Sequence, residues 1–146
     1  MSTLDPLEQV LTGDRAPGVY LWPAAPATDR IQAVVGEAGW RFIYLDTTTV
    51  VDKAGLLDAV AKTFGLPAYL GRGRESLTAY LEEVRDDFGV LVVWEGWAGL
   101  AELNPEAARL AIEALTVRAA RSLGGPFVVL LAGTGPALDV PSLVPE

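Results

Sequence analysis

No cysteine and no histidine occur among the 146 residues. The lack of cysteine excludes disulfides, a thiol nucleophile and thiolate metal sites, and makes a reducing, cytoplasmic setting the natural expectation. The lack of histidine removes the commonest general base and the commonest transition-metal ligand, so any hydrolytic triad would have to manage without one. Positive charge is also scarce: 11 Lys and Arg stand against 19 Asp and Glu, for a net charge of −8. Direct nucleic-acid binding needs clustered Lys and Arg and is not expected, whereas a basic protein partner fits this balance. No apolar run approaches the length of a membrane span. The first residues, MSTLDPLEQ, have neither the basic start nor the apolar run of a signal peptide. The expectation is a soluble, cytoplasmic protein with no membrane partner and no cofactor.

What is present is apolar: 51% of the residues are hydrophobic, enough in a chain of this length for one domain with a sizeable core. Asp5-Pro6 with Leu7, Val10 and Leu11 reads as a short helix, stopped at Gly13. Gly18 to Trp22 has strand composition and ends at Pro23. Thr28 is placed to cap a helix carrying Ile31, Val34, Val35 and Ala38 on one face. Phe42 to Leu45 is a continuous apolar run, as expected of a strand covered on both sides. Asp52 caps a helix whose Leu56, Leu57, Val60 and Phe64 face inward. Leu91 to Val93 is a further strand, flanked by Trp94 and Trp97. Asn104-Pro105 opens an Ala-rich helix with Ala108, Ala111, Ile112, Leu115 and Ala119 on its buried stripe. Phe127 to Leu131 is the last strand. Alternating strands and helices predict an α/β fold with a small parallel sheet of about four strands and right-handed crossovers. The predicted organisation is an N-terminal helix and connector over 1–17, an α/β domain over 18–133 into which the β-α-β stretch 18–45 merges, and a flexible, loosely held tail over 134–146.

The stretch from Leu66 to Asp87, LPAYLGRGRESLTAYLEEVRDD, organises the rest. Leu66-Pro67 ends the preceding helix, and Gly71 and Gly73 free the loop that follows. At about 100° per residue, Leu77, Tyr80, Leu81, Val84 and Phe88 then share one helix face. Glu75, Ala79, Glu82, Glu83 and Asp86 share the other. One side is core and the other an acidic surface. Such a face either keeps a helix solvated or presents negative charge to a basic partner.

Leu66-Pro67-Ala68-Tyr69-Leu70-Gly71, with Glu75, Leu77 and Leu81 in the helix behind, resembles the segment L-P-x-Y-x-G-x-N-x-D-A-L-x-D-x-L of the barstar family, small intracellular inhibitors of secreted ribonucleases. The resemblance extends through the strand Val90–Trp94, the Ala-rich helix and the closing strand. Upstream, Gly18-Val19-Tyr20, Gly39-Trp40, Leu45-Asp46 and Val51-Asp52-Lys53 resemble the N-terminal extension of longer bacterial relatives. The family is non-enzymatic. The resemblance implies a barstar-like layer fold and a contact surface made of a loop tyrosine and helix aspartates that enter a ribonuclease cleft. On this chain Tyr69 matches the tyrosine and Glu75 the first aspartate, one methylene longer. Ala79 stands at the second aspartate, the dominant residue of the family interface and an extreme case of hot-spot concentration. Gly73 replaces an asparagine, Arg74 and Thr78 stand where larger apolar residues are usual, and Ala119 replaces a late helix glutamate. Arg72 and Arg74 bring positive charge into the loop. The implied partner-binding set is therefore Tyr69, Arg72, Glu75, Ala79, Glu82, Glu83 and Asp86. The partner would be a basic protein, such as a ribonuclease or nuclease toxin, met in an inhibitor or immunity role.

Other constellations stay open. Asp46 and Glu95, at the carboxyl ends of parallel strands, could converge with Thr47, Thr48 and Thr49 to hold Mg²⁺ or act as acid and base, in a small enzyme or ligand-binding protein. They could equally satisfy loop backbone groups. Trp22, Trp40 and Trp94 read as packing residues, and Trp97, between Gly96 and Gly99, as the tryptophan suited to a surface. The glycines near Gly71 lack the spacing and the Gly-Lys-Ser/Thr of a phosphate loop, and Gly133-Thr134-Gly135 has no helix behind it. A chain that keeps the fold and has lost the inhibitor site is the third reading.

Overall fold

β-Branched and aromatic runs bounded by glycine and proline form the strands, and their near-continuous apolar character sends them into one parallel sheet. In the computed structural model, which describes residues 5–23, 25–64, 81, 88–121, 125–136, 138 and 140–143, the strands are β1 (Val19–Trp22), β2 (Arg41–Asp46), β3 (Val90–Glu95) and β4 (Phe127–Ala132). Their order is β1-β4-β3-β2, all parallel, with Val92 opposite Ile43 on one side and Val129 on the other. The four-stranded parallel expectation holds, and the added strand β1 lies beside β4. The crossover from β1 to β2 therefore passes over both central strands.

Five helices flank the sheet among the described residues: α1 (Asp5–Thr12), α2 (Thr28–Glu37), α3 (Lys53–Phe64), α4 (Trp97–Leu103) and α5 (Pro105–Ala120). Side chains of β3 and β4 alternate between two apolar cores, as the period of a strand requires. Val90, Val92, Trp94, Phe127, Val129 and Leu131 pack with α3, α4 and α5. Leu91, Val93, Val128 and Leu130 pack on the other face with Leu7 and Val10 of α1, Ile31 and Val35 of α2, and Trp22. The result is a sheet sandwiched between two helical layers.

The predicted caps divide. Asp52 Oδ1 accepts from the Gly55 amide at 2.8 Å, and Asn104 Oδ1 from the Ala107 amide at 3.2 Å. Thr28 does not cap α2; Ala27 holds that position without a side-chain bond, and the Thr28 hydroxyl goes elsewhere. The helix α4 is absent from the sequence reading, although Trp97, Leu100 and Ala101 are spaced for one buried face. Leu56 and Val60 of α3 are buried as expected, while the side chains of Leu57 and Phe64 lie outside the described set.

The segment after β4 differs from the loose tail expected of it. Gly135 lies so close to α4 that a Cβ there would sit 2.5 Å from Ala98 Cβ. Leu138 and Val140 then pack on the first core. The Leu21 amide donates to Pro141 O at 2.8 Å and the Leu143 amide to Leu21 O at 2.6 Å, so this strap pairs with the outer edge of β1. Leu143 is 1% exposed, within the second core. Apolar residues every two or three positions hold the strap, and it covers a sheet edge that would otherwise offer unpaired backbone groups. The same return of the chain buries Trp97, whose Nε1 donates to Ala132 O at 3.0 Å. The surface role expected of that tryptophan is not found.

Candidate functional site

The sequence-predicted contact residues Tyr69, Arg72, Glu75, Ala79, Glu82, Glu83 and Asp86 lie outside the described residues. Two neighbours are described. Leu81 is helical and fully buried in the first core, on the face that helical spacing assigns to it. Phe88, expected on the same face, is 74% exposed. It sits in a turn just before β3, where the helical period no longer governs direction.

Leu81 also makes a polar contact that the sequence reading missed. Its carbonyl accepts a 3.0 Å hydrogen bond from Arg118 Nε on α5. Arg118 is only 2% exposed, and its guanidinium lies 4.7 Å from the centroid of the Phe127 ring on β4. A buried guanidinium is tolerated where it is hydrogen-bonded and stacked on an aromatic face. The sequence signal existed: Arg118 follows Leu115 by three and Ala111 by seven, so helical spacing puts it on the buried stripe. Ala119, the next residue of α5, is buried as well.

The strand-end carboxylates are adjacent in register, Asp46 on β2 opposite Glu95 on β3. Each serves the chain's own donors. Asp46 Oδ1 accepts from the Thr48 amide at 2.9 Å and the Thr48 hydroxyl at 2.7 Å, closing the turn after β2. Glu95 Oε1 accepts from the Thr28 hydroxyl at 2.7 Å and Oε2 from the Tyr44 hydroxyl at 3.0 Å, so one carboxylate ties the first turn of α2 to β2. Thr47 is buried and accepts from Trp94 Nε1 at 2.8 Å. The backbone here is close: a Cβ on Gly96, whose φ is +81°, would lie 2.4 Å from Thr48 N. Among the described residues, no three acidic side chains are grouped to hold a metal ion. The arrangement is a folded corner in which Asp46 Oδ1 and both carboxylate oxygens of Glu95 accept hydrogen bonds from the chain itself.

That corner leaves a measurable trace on Tyr44. Desolvation of its hydroxyl, then the Glu95 hydrogen bond and charge, then Asp46, push the phenol from 10.0 up to about 12. Tyr44 is 39% exposed, which limits the size of the effect but not its sign. The neutral phenol is the form the fold favours. Its contribution is whole below pH 10 and is lost as pH rises through about 12. Urea midpoints measured from pH 8 to pH 12 should therefore fall faster at the alkaline end for the wild type than for Tyr44→Phe. Parallel curves would show that the Glu95 contact contributes nothing.

A cleft of about 670 Å³ runs along the outer side of α5, between Pro105, Ile112 and Val117 on the helix and Pro136, Leu138 and Val140 on the strap. Its rim carries Arg109, paired at 2.8 Å with Glu106 and at 2.7 Å with Glu113. Neither Asp46 nor Glu95 is among its described lining residues.

No curated protein matches the chain. Among solved structures, the ORC2 protein of Aeropyrum pernix, in ADPNP–ADP complexes, is similar at a TM-score of 0.55 with 13% identity, over 91% of this chain and 39% of that one. At that identity the likeness shows a shared α/β arrangement and nothing of function. The chain spans well under half the length of that structure. The loop from β1 to α2, Pro23 to Ala27, also has neither the glycines nor the lysine of a phosphate loop. The sequence model described as "Barstar (barnase inhibitor)" matches residues 40–132, from just before β2 to the last residue of β4 and across the whole Leu66–Asp87 stretch. With that match over most of its length, on a four-stranded parallel sheet flanked by helices, this chain belongs to the barstar family.

Proposed function

We propose that this protein is a non-enzymatic, cytoplasmic binding protein that takes a basic nuclease, of the ribonuclease or toxin kind, against the loop and acidic helix of residues 66–87. The observation that carries the reading is the family match, which runs through that stretch in a chain of net charge −8. Burial of Leu81 supports it from the inner side of the helix. By helical spacing, Glu75, Ala79, Glu82, Glu83 and Asp86 fall away from Leu81, where negative charge would steer a basic partner. Tyr69 supplies an aromatic anchor. Ala79, Gly73 and the arginines Arg72 and Arg74 change the contact, so the partner differs from that of aspartate-bearing relatives where it faces residue 79. The strand-end alternative loses ground because Asp46 and Glu95 are engaged by Thr48, Thr28 and Tyr44.

The test is charge reversal. Glu75→Lys combined with Glu82→Lys should weaken capture of a basic bacterial ribonuclease by about a hundredfold or more, since like charges would then face each other across the contact. The reversed chain should keep its melting temperature, because helical spacing assigns both positions to the side away from the core. Unchanged capture by the reversed chain would end the proposal.

A further inference from the structure

The two edges of the sheet are finished differently. At β1 the strap takes both backbone groups of Leu21, whose amide donates to Pro141 O and whose carbonyl accepts from the Leu143 amide. At β2, the opposite edge, no segment among the described residues does the same. The Arg41 and Thr47 amides donate inward, to Gly89 O and Glu95 O, so the odd-numbered residues of β2 bond to β3. The alternation of a strand then turns the amides and carbonyls of Phe42 and Tyr44 outward. The usual safeguards of an edge are also missing. Phe42-Ile43-Tyr44-Leu45 holds no charge, proline or glycine, and its register with β3 runs without a bulge. Charge stands only at the two ends, on Arg41 and Asp46. An extended apolar edge with outward backbone groups is a template for pairing.

We propose that β2 is a self-association edge, which pairs antiparallel with β2 of a second copy of this chain about a two-fold axis through Ile43. The strand itself selects that occupant. A two-fold axis normal to the sheet keeps like faces together, so even-numbered residues must meet even-numbered ones, and these are the residues whose backbone groups point outward. With Ile43 at the centre, Phe42 faces Tyr44 of the second copy and Tyr44 faces Phe42, and the two pairs exchange roughly four backbone hydrogen bonds. The same pairs set aromatic side chains side by side twice. Tyr44 is 39% exposed and Phe42 half-buried, so both have area left to cover. A register centred on Tyr44 would instead set Phe42 against Asp46. The contact closes on itself, and the strap on the far edge keeps the joined sheet from growing. It is small and works against a net charge of −8 on each copy, so the dimer is weak, gives way to monomer on dilution and is favoured by salt. It does not depend on what residues 66–87 bind.

The experiment is sedimentation equilibrium of the full chain from about 10 μM to 1 mM, a range suited to a small interface, with residue-resolved amide exchange at both ends of it. The mass should rise from one chain to two and no further, and the rise should come at lower protein concentration in higher salt. The Phe42 and Tyr44 amides should exchange about fivefold or more slowly in the concentrated sample, while the Ile43 and Leu45 amides, bonded to β3, stay protected in both. Tyr44→Lys, which puts a charge on the edge and leaves an ammonium able to meet Glu95, should remain a single chain at every concentration. If Tyr44→Lys does not fold, the exchange pattern of the wild type decides alone. A wild-type chain that stays monomeric throughout overturns the proposal. So does a dimer whose Phe42 and Tyr44 amides exchange as in the dilute sample, since it forms through another surface. Assemblies that grow beyond two copies overturn the closed two-fold contact.

Discussion

Ala79→Asp should raise the affinity of this protein for barnase by about a hundredfold or more. By the sequence resemblance, residue 79 stands where the family's dominant aspartate is expected, and Glu75 would supply a carboxylate at the first family position. Truncating one member of a desolvated interfacial charge pair costs about 2–5 kcal/mol, barnase with its inhibitor being one of the complexes from which that range comes. Restoring the group should recover a similar amount, about thirty- to several thousandfold in affinity. Alanine at this site contributes neither charge nor much area, so the wild-type chain should inhibit barnase weakly. The readout is the concentration of protein that halves barnase activity at low and at moderate salt. The gain from Ala79→Asp should shrink as salt rises, because part of it is long-range attraction. An Ala79→Asp chain no better than wild type would mean that residue 79 does not face the ribonuclease cleft.

A chain beginning at Gly39 should fail to remain monomeric, although it retains every residue of the family match. The reason is the second core. Leu91, Val93, Val128 and Leu130 are fully buried under α1, α2 and Trp22, all of which precede residue 39. Each such side chain gains about 1.5–3 kcal/mol from full burial, so uncovering all of them forfeits an amount comparable to the ~5–15 kcal/mol that holds an ordinary domain together. The truncation also strips β1 from β4 and takes away the strand to which Leu143 is tied. A sheet with a bare apolar face and a new open edge is a template for association. Light scattering after gel filtration should show aggregate or no soluble protein. A monomer with a cooperative melt would show that the extension is an appendage, not the second wall of the sandwich.

Much of the fold was legible because its signals are local. Apolar strand runs, Asp52 and Asn104-Pro105 at helix starts, and Leu81 on a 3.6-residue stripe each need only a few neighbours to be read. The misses share one cause: the partner lies far away in sequence. Thr28 looked like a cap because its hydroxyl precedes an apolar helix, yet Glu95, 67 residues on, takes that hydroxyl. Trp97 looked free beside two glycines, but the returning strap brings Gly135 against it. Prolines and small residues around Leu138, Val140 and Leu143 give the sequence of a tail, and the edge that residues 141–143 cover belongs to β1, more than a hundred residues earlier. The charge of Arg118 argues for the surface, while its helical spacing puts it inside, where it is 2% exposed. The candidate site was legible only as a pattern of residue types, since the acidic face of residues 75–86 acquires a role only when something meets it.

A hydrogen-exchange footprint of the Ala79→Asp chain with and without saturating barnase locates the contact directly. Slowed exchange should be confined to fragments covering 66–87, including Tyr69, with the strand ends near Asp46 and Glu95 and the cleft between α5 and the strap unchanged. Protection at that cleft or at the strand ends, with residues 66–87 exchanging as fast as in the free protein, would contradict that expectation.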